Sequence, residues 1–357
     1  MSWIYILNII LTLLWGYILL YYYKQPKKKI FIIIVSFQAI LISGLRGLSI
    51  GADTQTYSEL FWYYCKDASW KDIANAIKNF LLGGDYNCRD MGYYICTKLF
   101  GGIIPSYRVY LFFVITVFMS GIGFFFYKYS PDLCLSYVVF DSFMFQFYGL
   151  TGIRQVLATC LVTFVGYELI RKKKLVPFLL ICLFAATIHM TCIIFIPFYF
   201  VCNYNIKDRR LKYFFSFGIV LIIIVFKNVL ANILPLGFYE QLYSNFKGIT
   251  SYNFIIMIGM VCIAACVLEN KMQKINADSR EYVDATLIIF MIVTSSMVFD
   301  LLFRLSWYYM PFLAVLIPQM LDSVDFKYKK IVKILLIIAA TALLYKNHLD
   351  YIFFWME

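Results

Sequence analysis

The stretch G-L-R-G-L-S-I-G-A-D-T-Q-T-Y, residues 44–57, places three glycines, Arg46, Asp53 and Tyr57 directly after the uncharged run from Ile30 to Leu45. Glycine permits sharp turns and close approach of backbone to a ligand. Arginine is a permanently charged fork matched to phosphate oxygens. Asp53 can hold Arg46 or accept a proton, and Thr54 can cap the helix that leads to Tyr57. The bland alternative is a helix-ending loop with a structural Arg46–Asp53 pair. A second polar group, Thr151-Gly152-Ile153-Arg154-Gln155, offers one charged and one neutral hydrogen-bonding side chain, or else a snorkelling arginine that anchors a helix end. His189 stands between Thr187 and Thr191 in an otherwise apolar run. A satisfied core histidine is the ordinary reading there, and an imidazole able to accept a proton near neutral pH is the chemical one. Arg304 follows Asp300 by one helical turn and precedes Trp307, Tyr308 and Tyr309, which suits either a local ion pair or a cation beside sugar-stacking rings. Arginine at membrane depth costs roughly 2.5–3.5 kcal/mol on insertion scales, so such a residue needs a partner or a task.

The elements that must position these residues are membrane helices. Of 357 residues, 62% are hydrophobic and 15% charged, and the mean hydropathy is +0.77. A water-soluble domain cannot bury that much apolar surface, and several runs have the roughly 20 residues a bilayer crossing needs. The first run, Trp3 to Tyr23, lacks preceding basic residues and a small-residue cleavage site, and reads as a retained helix. The net charge of +12 falls in short clusters at Lys24–Lys29, Arg171–Lys174, Lys207–Lys212 and Lys327–Lys333. These mark cytoplasmic loops by the positive-inside rule. They form no continuous basic face with stacking aromatics, so nucleic acid is not an expected partner.

Counting crossings between the clusters predicts spans over Ile30–Leu45, Arg108–Tyr127, Leu133–Leu150 and Ile153–Ile170, with Met91–Ile104 not crossing fully. Leu175 to Val201 lies between two clusters that both belong inside. It is expected to enter as a broken hairpin turning near His189, the alternative being one long tilted helix. Spans over Tyr213–Leu234, Phe254–Leu268, Val283–Phe303, Leu305–Leu321 and Ile331–Tyr345 follow. The expected fold is all-α: a polytopic bundle of about 10–12 membrane segments by this count, one transmembrane domain over residues 1–357. Arg46, Asp53, Arg154, His189 and Arg304 then all fall at the external face.

Residues 46 to about 106 form the longest external segment. Within it Ser69 and Asp72 have capping-box spacing, and Trp70, Ile73, Ile77, Phe80 and Leu81 recur at helical spacing, an interfacial helix ended by Gly83-Gly84. The loop from Leu236 to Tyr252 is also expected outside. The ten cysteines show neither CxxC pairs nor metal-type spacing. Cys65 and Cys88 share the external segment and read as unpaired thiols, with a disulfide as the alternative. No cofactor or metal is expected.

The residues R-G-x-x-x-G-x-D-T-x-x-Y at Arg46–Tyr57 resemble the signature of the EpsG family, Wzy-type polymerases of bacterial exopolysaccharide and capsule synthesis. The resemblance continues through Asp90-Met91-Gly92-Tyr93, Gly152-Ile153-Arg154-Gln155, Ala186-Thr187-Ile188-His189 and Phe303-Arg304 with Tyr308-Tyr309. It implies a GT-C-like membrane glycosyltransferase of the bacterial cytoplasmic membrane. Such an enzyme joins polyprenyl-diphosphate-linked oligosaccharide units at the outer face, without a metal. Expected partners are that lipid-linked oligosaccharide, membrane lipid, a chain-length regulator and a flippase. The roles this reading gives are diphosphate binding by Arg154 and Arg304, with Arg46 a further contact. Tyr57, Asp90, Gln155 and Tyr308 join the binding site, and Asp53 or His189 is the base. A ligase for finished polymer and a transporter of lipid-linked sugars are the alternatives.

Overall fold

The computed structural model describes residues 3–82, 90–204, 208–233, 252–324, 327–347 and 350–357. These residues are helical apart from connecting loops and one isolated antiparallel bridge between Arg46 and Phe353. The loop from Leu236 to Ser251, Gly83-Gly84 and Cys88 lie outside the described residues. Contacts divide the chain into two compact units, Met1–Ile193 with Lys330–Glu357, and Ile194–Lys329.

In the first unit α1 (Trp3–Gly16) continues in a wider turn over Tyr17–Tyr22, and α2 (Lys28–Gly44) leads to the glycine-rich loop. There follow α3 (Thr54–Trp62), α4 (Trp70–Leu81) and α5 (Met91–Ile103), all outside the long spans, and then α6 (Tyr107–Tyr129). The expected span Leu133–Leu150 is two helices, α7 (Leu133–Phe143) and α8 (Phe145–Leu150), separated at Met144. Arg154 opens the next span, Ile153–Arg171, which runs as α9 (Ile153–Thr159), a wide turn over Cys160–Val165 and α10 (Gly166–Arg171). α11 (Leu175–Ile188) then stops at His189, whose backbone is extended at φ −155°, ψ 105°. A 3-10 turn, Met190–Phe195, follows, so the long apolar run is interrupted at the histidine.

The second unit contains α12 (Ile196–Asn203), α13 (Arg209–Ile233), α14 (Tyr252–Ile275), α15 (Ser279–Ser295) and α16 (Met310–Ser323). α15 packs against α13, α14 and α16. A buried charge network ties three of these helices. Arg209 reaches Glu269 at 2.9 Å and Asp284 at 2.8 Å, and Lys212 reaches Asp284 at 2.5 Å. The expected pair of straight spans over Val283–Phe303 and Leu305–Leu321 takes another form. Asp300–Tyr308 is a 3-10 helix bent by 64° from α16, with Pro311 in the first turn of α16. Proline lacks an N–H and is preorganised for the first turn of a helix, which suits Pro311 to a new helix start after the break at Tyr309. α17 (Lys329–Asn347) returns to the first unit.

Five described helices are long and apolar enough to cross a membrane, or six counting the bent pair as one. That is fewer than the sequence count, because several expected spans are short or broken. α2, α7, α11 and α15 each have 17 residues or fewer.

Within the first unit, two groups of contacts gather at helix ends. Lys333 of α17 binds Asp132 at the start of α7, and Nζ of Lys333 donates to the Tyr21 hydroxyl at 2.6 Å, so these loops share one end. At the other end Ser43 of α2 donates to the Gly149 carbonyl of α8, and the Tyr107 hydroxyl of α6 donates to the Thr54 carbonyl at 2.9 Å.

Candidate functional site

Four helix ends of the first unit bring Tyr57, Asp90, Arg154 and His189 together. Tyr57 lies in the first turn of α3, Asp90 immediately precedes α5, Arg154 is the second residue of α9, and His189 follows the last residue of α11. The reason for the last placement is local. The helix ends before His189, so its imidazole and the Met190 N–H leave the helix axis rather than continuing the ladder. Gly92, in the first turn of α5, lies so close to Thr187 that a Cβ would collide with the threonine side chain. That contact holds Asp90 beside the end of α11.

Asp90 is the hub. Arg154 Nη1 donates to its Oδ2 at 2.7 Å, His189 Nδ1 lies 3.4 Å from the same oxygen, and the Met190 N–H donates to Oδ1 at 3.3 Å. The carboxylate is 1% exposed, whereas the side chains of Arg154 and His189 are 23% and 22% exposed. Burial works against charge on Asp90, but the His189 contact, the Arg154 charge and the Met190 N–H together hold its carboxyl below the usual carboxylate range. Arg154 is fixed from a second side by Tyr57, whose hydroxyl accepts from Nε at 3.1 Å. Burial pushes the Tyr57 phenol up, with Arg154 pulling the other way, so it stands as a neutral hydroxyl. The guanidinium also lies 5.4 Å from the Tyr57 ring centroid and 5.9 Å from that of Tyr93, within cation–π range. A buried carboxylate thus orients one partly exposed cation and one partly exposed imidazole.

Arg46 is 2% exposed, and its Nη1 donates to the Ser43 carbonyl at 2.6 Å, the Ser43 hydroxyl at 3.0 Å and the Gly149 carbonyl at 3.1 Å. Its Nε donates to Thr54 Oγ1 at 3.4 Å. Asp53 is half-buried and precedes α3 without a side-chain cap bond. Thr54, expected as the cap, instead donates to the Ile50 carbonyl at 2.6 Å and the Leu150 carbonyl at 3.1 Å. Gly51 has φ +88°, a left-handed conformation that glycine adopts without a steric cost. Gln155 is buried beside Arg154. Arg304 is half-buried and Tyr308 fully buried in the 3-10 segment of the second unit.

A family model matches residues 29–355, under the description EpsG family. The chain belongs to the EpsG family. No curated protein and no solved structure matches it. Two of the segments that carry the resemblance have visible structural work. The R-G-x-x-x-G-x-D-T segment knits α2, α8 and α3 together through Arg46 and Thr54, and the D-M-G-Y segment supplies the hub carboxylate and the ring of Tyr93. Tyr93 is an addition to the residues expected at the site. It is the third residue of α5, one turn in from Asp90, which occupies the N-cap position. Among the described residues no three His, Cys, Asp or Glu side chains gather as a metal site.

Proposed function

We propose that this EpsG-family chain is a polysaccharide polymerase that joins polyprenyl-diphosphate-linked oligosaccharide units at the outer face of the bacterial cytoplasmic membrane. The observation that carries the reading is the double use of Asp90, which holds Arg154 and His189 at once. In the reaction the bond from the donor sugar's anomeric carbon to the diphosphate oxygen breaks, and a bond forms from that carbon to an acceptor sugar hydroxyl. His189 accepts the hydroxyl proton at Nε2, with Asp90 fixing Nδ1–H and stabilising the imidazolium. The departing lipid diphosphate takes the electron pair and is met by the partly exposed Arg154 guanidinium. This assigns the base to His189 and makes Asp90 a positioning residue. Arg46 belongs to the scaffold of the first unit. A GT-C-like architecture, with chemistry at helix ends near the bilayer surface, is part of the same proposal.

Purified protein in lipid nanodiscs, given synthetic lipid-diphosphate repeat units, is expected to yield a ladder of products. His189→Gln and Arg154→Ala should yield single units only. Wild-type ladders from both variants would overturn the assignment.

A further inference from the structure

The glycine-rich loop has a second set of partners that the site does not use. The segment 350–357 lies along it. Gly47 N–H donates to the Ile352 carbonyl at 2.8 Å and Phe354 N–H to the Leu45 carbonyl at 3.0 Å, giving the antiparallel bridge between Arg46 and Phe353. The Tyr351 hydroxyl donates to the Ile42 carbonyl at 2.7 Å. Arg108 of α6 lies 4.2 Å from the Phe354 ring centroid while donating to the Gly44 carbonyl at 2.9 Å and to the Arg46 carbonyl. The Glu357 carboxylate closes the arrangement. It accepts from Leu48 N–H at 2.7 Å, Ser49 N–H at 2.9 Å and the Ser49 hydroxyl at 2.5 Å. A Cβ on Gly47 would run into this carboxylate, which gives the second residue of the R-G pair a steric reason.

We infer that residues 350–357 are a clasp, closed by Glu357 on the Leu48 and Ser49 amides, that positions Tyr57 and through it Arg154. The path is continuous. The clasped loop contains Arg46, whose Nε donates to Thr54, the first residue of α3, and Tyr57 lies one turn further on with its hydroxyl on Arg154. Glu357 is a positioning residue. The clasp itself rests on geometry alone, and only its consequence for turnover rests on the polymerase reading.

Hydrogen exchange of the 45–52 segment in the full-length protein in nanodiscs tests it. Charged hydrogen bonds of this kind are worth enough that Glu357→Gln should speed exchange there about tenfold or more. Glu357→Ala, Gly47→Ala and the double variant should all give the same acceleration, because each removes the same carboxylate from the same place. Additive effects, or wild-type exchange as fast as the variants, overturn the clasp. Protection corrected for intrinsic exchange should also depend on pH in the wild type only. The Ser49 and Leu48 hydrogen bonds hold the Glu357 carboxyl below the usual range, so protection persists at neutral pH and is lost as pH falls through that lowered value. Glu357→Gln should further lower polymer turnover. Faster exchange with unchanged turnover overturns the positioning role, and a wild type that makes no polymer overturns the function reading while exchange still decides the clasp.

Discussion

Replacing Asp90 by asparagine changes charge and donor count at nearly constant shape. The carboxylate accepts from Arg154 Nη1 at 2.7 Å and from the Met190 N–H at 3.3 Å, and it stands 3.4 Å from His189 Nδ1. An amide has one accepting oxygen. Whichever way it turns, its NH2 group must face Arg154 and His189 or face Met190, and a buried donor then loses its acceptor. One such loss costs about 1–3 kcal/mol. Arg154 loses its ion-pair partner as well, a larger effect than at a surface pair because Asp90 is 1% exposed, but reduced by the 23% exposure of Arg154. A total loss of roughly 2–4 kcal/mol of stability is expected. The effect on turnover should be larger, because the imidazole is left without the group that fixes its tautomer, and general-base contributions run to about 10²–10⁴-fold. Differential scanning fluorimetry gives the first quantity, and the nanodisc polymerisation assay under saturating donor gives the second. Turnover within about threefold of wild type, a change of roughly 0.7 kcal/mol in the barrier, would refute the dyad.

Arg154→Lys keeps the charge but cannot reach Tyr57 and Asp90 at once, so it should lower turnover roughly 10²–10³-fold, measured by release of lipid diphosphate. Asp284→Ala should cost about 3–5 kcal/mol of stability in the second unit by taking the carboxylate from Lys212 and leaving Arg209 with Glu269 alone, read by thermal or denaturant unfolding. Stability linked to Asp90 has a depressed carboxyl pKa behind it, so it is fully present above the unfolded value of ~3.9 and is lost as pH falls further. The melting-temperature gap between wild type and Asp90→Asn should therefore shrink as pH falls below about 4.

Much of the helical course was legible in the sequence because apolar runs and lysine clusters obey one-dimensional rules. The capping box at Ser69 and Asp72 forms as spaced: Ser69 N–H donates to Asp72 at 2.8 Å and Asp72 N–H to Ser69 Oγ at 3.2 Å. The interruption at His189 was likewise readable from the need to return a run to the side it left. The partnerships were less so. Arg46 and Asp53 look paired at seven residues' separation, yet the bonds of Arg46 run to Ser43, Gly149 and Thr54. Backbone carbonyls at broken helix ends have no signature in composition. Asp90 lies 64 residues from Arg154 and 99 from His189, and nothing local points from one to the others. The clasp escaped for the same reason, since Glu357 meets backbone N–H groups rather than a charged side chain.

The most direct test of the account is a count of bonds formed and leaving groups released. Wild-type protein in sealed proteoliposomes, supplied on one face with a lipid-diphosphate trisaccharide, should release one lipid diphosphate for every repeat unit added to a growing chain, and His189→Gln should release none. Movement of intact units across the bilayer with no release in either protein would contradict it and make the chain a carrier.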